Sequence, residues 1–426
     1  MSQIKITNTQ SNFEREPLIR PFGFKGGYLS ELWQSMSLLQ TENHEGIGLA
    51  TQSVLYGDAD LFASYSEAGG NALMYSVTQK ALSIIKDIPF NTPIDLLDQV
   101  IPRLIPYAQD ITGKKDVSIN FILNAMISVD NAAWQLYARE TGKTSFDTMI
   151  PEIYRPAVSS RNSRIAIMFQ VPYGMPLSEI EEAVDEGYFV IKIKTGQQGN
   201  QEEMLEKDKN RLSEIYNALR DKKGNALNNG KIIYTLDSNG RYEKKETLQR
   251  LIDHAEKIGM LSDILFIEEP LVEHNEENVA GMGVRIAADE RAHDEEAALK
   301  SLELGYEGII LKGIAKSLSI TLKIAKLAHD RNIPCACSDL TVNPALLEWH
   351  KNLAARLIPF PGIGMGLLET NGDMNYTNWV AMKNYLPKAG STWSDVKQGV
   401  FELNDAYFQT SGGIFDTIPH YKNILS

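Results

Sequence analysis

The sequence predicts an α/β barrel carried behind a separate α+β module. From about residue 164 onward, short apolar strand-like runs alternate with amphipathic helical stretches, the texture of repeated strand–helix units on a parallel sheet. About eight such units fit a closed barrel better than an open sheet. Several of the strand candidates also end in an ionisable residue. In a parallel barrel all strand C-termini open on one face, and functional groups gather there.

Residues 1–163 carry extended segments near 4–7 and 46–56 and longer helical stretches over 71–86, 92–107 and 119–141, the pattern of an α+β module. The Gly- and aromatic-rich run 21–28 reads as a mobile surface loop. Residues 164–375 hold strand candidates at 165–169, 189–194, 232–237, 264–268, 284–289, 308–312 and 333–338, with an eighth between 354 and 369. Helical patterns over 177–186, 203–220, 246–258, 294–304 and 318–331 lie between them. The polar stretch 197–200 and the Gly/Asn-rich 222–230 read as loops. Residues 376–426 lose the alternation and are expected to pack back on the first module.

Bulk properties exclude several classes of function. Lys and Arg number 42 against 55 Asp and Glu, a net charge of −13, which argues against nucleic acid or an anionic membrane as the main partner. No stretch approaches the roughly 20 uninterrupted apolar residues of a membrane span. The N-terminus has no apolar core of signal-peptide length. Cys335 and Cys337 sit in one strand candidate, where neighbours at i and i+2 rarely reach disulfide geometry. Reduced thiols and a cytoplasmic location are the expectation.

The run 188–196 places two lysines where a buried strand should have none. Lys192 and Lys194 share one face of that strand, among Val190, Ile191 and Ile193. Two ammonium groups so close raise each other's cost of protonation, so at least one pKa should fall and yield a base near neutral pH. In this reading Lys194, nearest the strand end, is the base. Lys192 depresses its neighbour's pKa and helps hold a substrate carboxylate. Further along, the strand candidates end in Asp237, Glu268, Asp289 and Lys312. Three carboxylates together repel one another unless neutralised, and an all-oxygen set favours Mg²⁺ over zinc. Such a metal binds a substrate carboxylate and stabilises the charge that grows when the neighbouring carbon loses its proton. Lys194 and Lys312 come from separated strands and can face opposite sides of that carbon, an arrangement that inverts a stereocentre.

This ordered set resembles the enolase superfamily, in its muconate-lactonizing-enzyme-like subgroup. Lys192-Ile193-Lys194 resembles that family's Lys-x-Lys strand. Asp237, Glu268 and Asp289 match its metal ligands in order, and Lys312 its opposing lysine on the sixth strand. The resemblance implies a modified TIM barrel, (β/α)7β, with an α+β N-terminal capping domain. It also implies Mg²⁺ as cofactor and a small-molecule carboxylate as substrate; a homo-oligomeric assembly is expected as well. Mandelate-racemase-like members usually carry a His on the seventh strand. Residues 333–339 have none, so a Lys/Lys pair is favoured.

The candidates for substrate binding are Phe24 and Lys25 in the Gly-rich loop, Ser338 and Asp339 on the seventh strand, and Asp373. Dipeptide epimerases of the family commonly show Asp-x-Asp after the eighth strand; this chain has Asn371-Gly372-Asp373, half of that pattern. Asn239, Glu269 and Glu290 are expected behind the direct contacts, Glu290 either orienting Lys312 or exposed. The expected activity is racemisation or epimerisation of an amino-acid derivative or dipeptide. Syn β-elimination of the o-succinylbenzoate synthase kind and cycloisomerisation use the same groups. A relict barrel that only binds is the alternative from another class.

Overall fold

The computed structural model describes residues 3–24 and 27–425. Strands β1 (Asn8–Phe24), β2 (Gly27–Gln40) and β3 (Glu45–Gln52) form an antiparallel sheet in that order. Of the run expected to be a surface loop, residues 21–24 and 27–28 belong to β1 and β2, whose pairing continues through Gly23 and Tyr28 to Phe24 and Gly27. β1 carries charges on both faces and contains Pro17. A sheet edge tolerates this, and it hides the strand's alternation.

Helices follow this sheet in the chain, among them α1 (Val54–Gly57), α2 (Ala59–Ile85), α3 (Pro93–Thr112) and α4 (Ile119–Glu140). α3 starts where the sequence says it should. Thr92 and Asp95 form a reciprocal capping box, with Pro93 at the first helical position. α4 is buried almost throughout and lies across β3. That close approach requires glycine: a Cβ at Gly48 would stand 2.0 Å from the Ser128 carbonyl oxygen on α4.

The barrel strands are β4 (Arg164–Val171), β5 (Val190–Lys194), β6 (Ile233–Asp237), β7 (Ile264–Glu268), β8 (Ile286–Ala288), β9 (Gly308–Leu311), β10 (Cys335–Cys337) and β11 (Gly366–Glu369). They pair in parallel in sequence order, and β11 closes on β4. Helices connect them except between β7 and β8, so the fold is a modified barrel with a cap. A last strand, β12 (Val400–Glu402), adds antiparallel to β4.

Cap and barrel are joined by buried polar contacts. Trp134 Nε1 donates to Ser319 Oγ at 3.0 Å, and Ser319 Oγ donates to Asp130 Oδ1 at 2.5 Å. Gln34 donates to Tyr376 and accepts from Asn343, each at 2.8 Å. The C-terminal segment touches the cap: Asn12 Nδ2 donates to the Ile424 carbonyl and Gln135 Nε2 to that of Ile414, each at 2.8 Å. Cys335 and Cys337 are buried free thiols. Among the described residues, no helix is long and apolar enough to cross a membrane.

Candidate active site

Backbone register assembles the site. Lys194 pairs with Asp237 across β5 and β6, and Asp237 with Glu268 across β6 and β7, so the three form one layer at the strand ends. Asp289 follows β8 by one residue and Lys312 follows β9 by one residue. In the closed ring, β6, β7 and β8 separate β5 from β9 one way; β4, β11 and β10 do so the other. Lys194 and Lys312 therefore stand on opposite sides of the barrel mouth. Both line one pocket, together with Asp237, Asn239, Glu290, Ser338, Asp339 and Glu369 from the barrel. The cap closes it with Phe22, Leu29, Ser53 and Tyr56.

On the first side, Lys194 Nζ donates to Asp237 Oδ2 at 2.5 Å and to Asn239 Oδ1 at 2.9 Å. Asn239 passes its own Nδ2 to Glu290 Oε1 at 3.1 Å. On the opposite side, Lys312 Nζ donates to Asp289 Oδ2 and lies 5.2 Å from the centre of the Tyr56 ring. Burial alone would pull the Lys312 pKa down; Asp289 and Glu290 outweigh it, and the net shift is well upward. Glu290 thus serves both lysines, by a hydrogen bond through Asn239 and by charge toward Lys312. Glu269 does not face the pocket. It accepts from the Asp289 amide at 2.7 Å and from Arg291 Nε at 2.8 Å, which fixes the turn that carries Asp289.

Lys192 departs from expectation. It is completely buried and does not line the pocket. Its Nζ lies 3.0 Å from Asp237 Oδ2, 2.7 Å from Glu268 Oε2 and 2.8 Å from Glu369 Oε2, and donates to Ser338 Oγ at 2.8 Å. Burial lowers its pKa, but Asp237, Glu268 and Glu369 together raise it well above the ordinary lysine value. Lys192 is therefore the charged hub of the pocket floor, set among three carboxylates and off the pocket lining where it was expected to help hold a substrate carboxylate.

Of the other sequence candidates, Ser338 and Asp339 reach the pocket. Burial, and then Glu369, push the Asp339 carboxyl up to about 7, although it accepts the amides of Leu340, Val342 and Asn371. Asp373 is exposed in a short helix and does not line the pocket. Phe24 ends β1, and Lys25 lies outside the described residues. The sequence reading missed Glu369, Gln170 and Lys316. Glu369 ends β11, the one strand that could not be placed, and so follows the same strand-end rule. Gln170 Nε2 holds Glu369 Oε1 at 2.7 Å. Lys316 donates to Asp289 Oδ1 at 3.1 Å and to its carbonyl at 2.5 Å.

The rim stores backbone strain. Asn239, Glu269 and Thr341 have φ of 44°, 38° and 52°, each costing on the order of 1–3 kcal/mol. These turns aim the strand-end groups: Asn239, for example, donates its amide to Asp237 Oδ1 at 3.1 Å.

The donor set of Asp237, Glu268 and Asp289 fits a hard divalent cation in its chemistry, being all carboxylate oxygen. Burial, and then Asp237 and Asp289, push the Glu268 pKa well up, the repulsion a cation relieves. Glu268 Oε2 is buried with no hydrogen bond of proper geometry. Lysines nevertheless stand on these oxygens: Lys192 between Asp237 and Glu268, Lys312 and Lys316 on Asp289. Accordingly, among the described residues no three acidic, His or Cys side chains already form a metal cage. Binding a cation there exchanges ammonium contacts for metal contacts.

A family model described as enolase C-terminal domain-like matches residues 177–360. Comparison with curated proteins gives no match. Among solved structures, a dipeptide epimerase from Enterococcus faecalis V583, complexed with Mg and the dipeptide L-Leu-L-Tyr, is 16% identical over 96% of this chain and 99% of that one, with a TM-score of 0.65. An N-succinyl Arg/Lys racemase from Bacillus cereus ATCC 14579 is 15% identical over 94% and 93%, with a TM-score of 0.64. A mandelate racemase/muconate lactonizing protein from Herpetosiphon aurantiacus is 14% identical over 94% and 96%, with a TM-score of 0.62. Likeness at this level of identity establishes the shared fold.

Proposed function

We propose that this protein is an enzyme that removes and returns the proton α to a substrate carboxylate, a reading supported by the match of residues 177–360 to the enolase C-terminal domain-like model. The observation that carries the reading is the placement of Lys194 and Lys312 on opposite sides of one pocket. The reaction is racemisation or epimerisation, and the substrate is an amino-acid derivative or dipeptide.

The chain's own groups supply the proton transfers. Lys194 Nζ is held by Asp237 Oδ2 and Asn239 Oδ1 in the pocket it lines, which places it as the base on this side. Lys312 is held charged by Asp289 and is the donor on the opposite side. The reverse reaction exchanges the two roles. Each such group is worth about 10²–10⁴ in rate. Asp237, Glu268 and Asp289 would hold Mg²⁺, which when bound supplies positive charge against the substrate carboxylate as its negative charge grows. Lys192, Glu369 and Ser338 keep the pocket floor rigid and charged.

Incubation of dipeptides and N-acylated amino acids in D₂O tests the reading. The expected result is exchange of the α-proton with inversion, seen by NMR. Loss of water without α-exchange from N-acylated β-hydroxy amino acids included in the set assigns the site to syn elimination instead.

A further inference from the structure

Lys194 is held by two loops, and both hang on one buried carboxylate away from the pocket. Lys194 ends β5, and its Nζ reaches Asn239 on the loop after β6. That contact lasts only while the two loops keep their relative position. Thr195 and Gly196 follow Lys194 directly. The Thr195 hydroxyl lies 2.7 Å from that of Ser238 on the neighbouring loop. Gly196 has φ of 81°, and a Cβ there would stand 2.6 Å from Arg241 Cβ and 2.9 Å from the Ser238 carbonyl oxygen. The loops interlock with no room for a side chain between them.

Asp208, on the helix Gln201–Leu219, is buried behind this joint and does not line the pocket. Its Oδ2 accepts the Gly196 amide at 2.7 Å and the Tyr242 hydroxyl at 2.6 Å, one donor from each loop. Its Oδ1 accepts the Gln197 amide at 3.4 Å. On the carbonyl side of the same turn, the Tyr173 hydroxyl donates to Thr195 at 2.8 Å and to Gly196 at 3.1 Å. These donors to Asp208 are all neutral, and burial pushes its pKa up against the bonds from Tyr242, Gly196 and Gln197. Burying a carboxylate without a counter-ion is costly, and what this one achieves is the register of two loops. None of these hydrogen bonds reaches Lys312, which follows β9 across the barrel mouth.

We propose that Asp208 is a positioning residue for Lys194 alone. By holding Gly196 and Tyr242 at once it fixes the loop after β5 against the loop after β6, and so sets Lys194 Nζ on Asp237 and Asn239 for proton transfer. This rests on the proton-transfer reading above.

The test uses Asp208→Asn, which keeps the size of the side chain but sets an amide group against donors, and Tyr242→Phe, which removes one hydroxyl. Each epimer of a dipeptide or N-acylated amino acid that the wild type exchanges is offered separately in D₂O. A misplacement of about 1 Å can cost about 10²-fold, so Asp208→Asn should slow exchange at least about tenfold for the epimer that Lys194→Ala fails to exchange, in kcat rather than KM. The other epimer should stay within about twofold. Tyr242→Phe should give the same asymmetry, less steeply. Equal loss for both epimers, or loss for neither, overturns the proposal. A second measurement needs no turnover: NMR of the protein with its lysines ¹³C-labelled at Cε, the signals assigned with Lys194→Arg and Lys312→Arg. The Lys194 signal should shift in Asp208→Asn and Tyr242→Phe while the Lys312 signal stays. A Lys194 signal that does not move, or that moves together with Lys312, overturns the proposal. If the wild type exchanges neither epimer of any compound while the Lys194 signal alone moves, the positioning role stands and the catalytic reading falls.

Discussion

Barrel and cap build the same pocket with opposite materials. The barrel supplies its ionisable side chains, Lys194, Asp237, Glu290, Lys312, Asp339 and Glu369, each at or just past a strand end. The cap supplies Phe22, Leu29, Ser53 and Tyr56, side chains of shape and hydroxyl. In the function proposed above, charge fixed on the β scaffold would perform the proton chemistry, and the cap residues above it would bear on binding. Substitutions in the barrel should therefore act on turnover, and substitutions in the cap on KM.

The largest effect is expected from the lysines. Lys194→Ala and Lys312→Ala should each lower kcat by about 10²–10⁴ in steady-state assays, with the fold intact by circular dichroism. A loss below tenfold in either would break the division between the two regions.

Next comes the metal. Glu268→Gln should weaken Mg²⁺ binding, measured by calorimetry, by at least the ~10–100-fold that follows loss of a supporting residue at a metal site. Chelation should silence the wild type, and added Mg²⁺ should restore it. Metal affinity unchanged in Glu268→Gln would remove Glu268 from the donor set.

The cap gives smaller changes. Leu29→Ala should raise KM several-fold and leave kcat within about twofold, the signature of binding lost equally in ground and transition states. A fall in kcat with KM constant would place the cap in the chemistry.

The smallest effect lies where the two regions join. Burial pushes the Asp130 carboxyl up to about 7 against its hydrogen bonds from Ser319 and Trp134. A carboxyl whose folded pKa exceeds its unfolded value contributes stability fully below the unfolded pKa, near 4, and loses it as pH rises through the folded pKa. Urea titrations should show the wild type losing ground to Asp130→Asn between about pH 4 and 7, with a flat difference above that. A difference that does not change with pH contradicts the assignment.

The same contrast explains what was legible beforehand. Several barrel strands end in or just before an ionisable group, and Lys192, Lys194, Asp237, Glu268, Asp289 and Lys312 appear in order along the chain. The family resemblance drawn from them agrees with the matched family model. What the sequence hid is what depends on distant partners. Lys192 looked like half of a like-charged pair because Glu369, 177 residues away, and Glu268 come to it only through barrel closure. β11 was unplaced because Gly366–Glu369 is a short strand after a long irregular stretch. The end of β1, residues 21–24, passed for part of a loop because an edge strand need not alternate.

The central claim is that two lysines work from opposite faces of one carbon, and stereospecific exchange in the two alanine variants tests it most directly. With both epimers of an accepted substrate offered in D₂O, Lys194→Ala should still exchange the α-proton of one epimer only, and Lys312→Ala that of the other only. Loss of exchange for the same epimer in both variants, or for both epimers in either one, would contradict a two-base site.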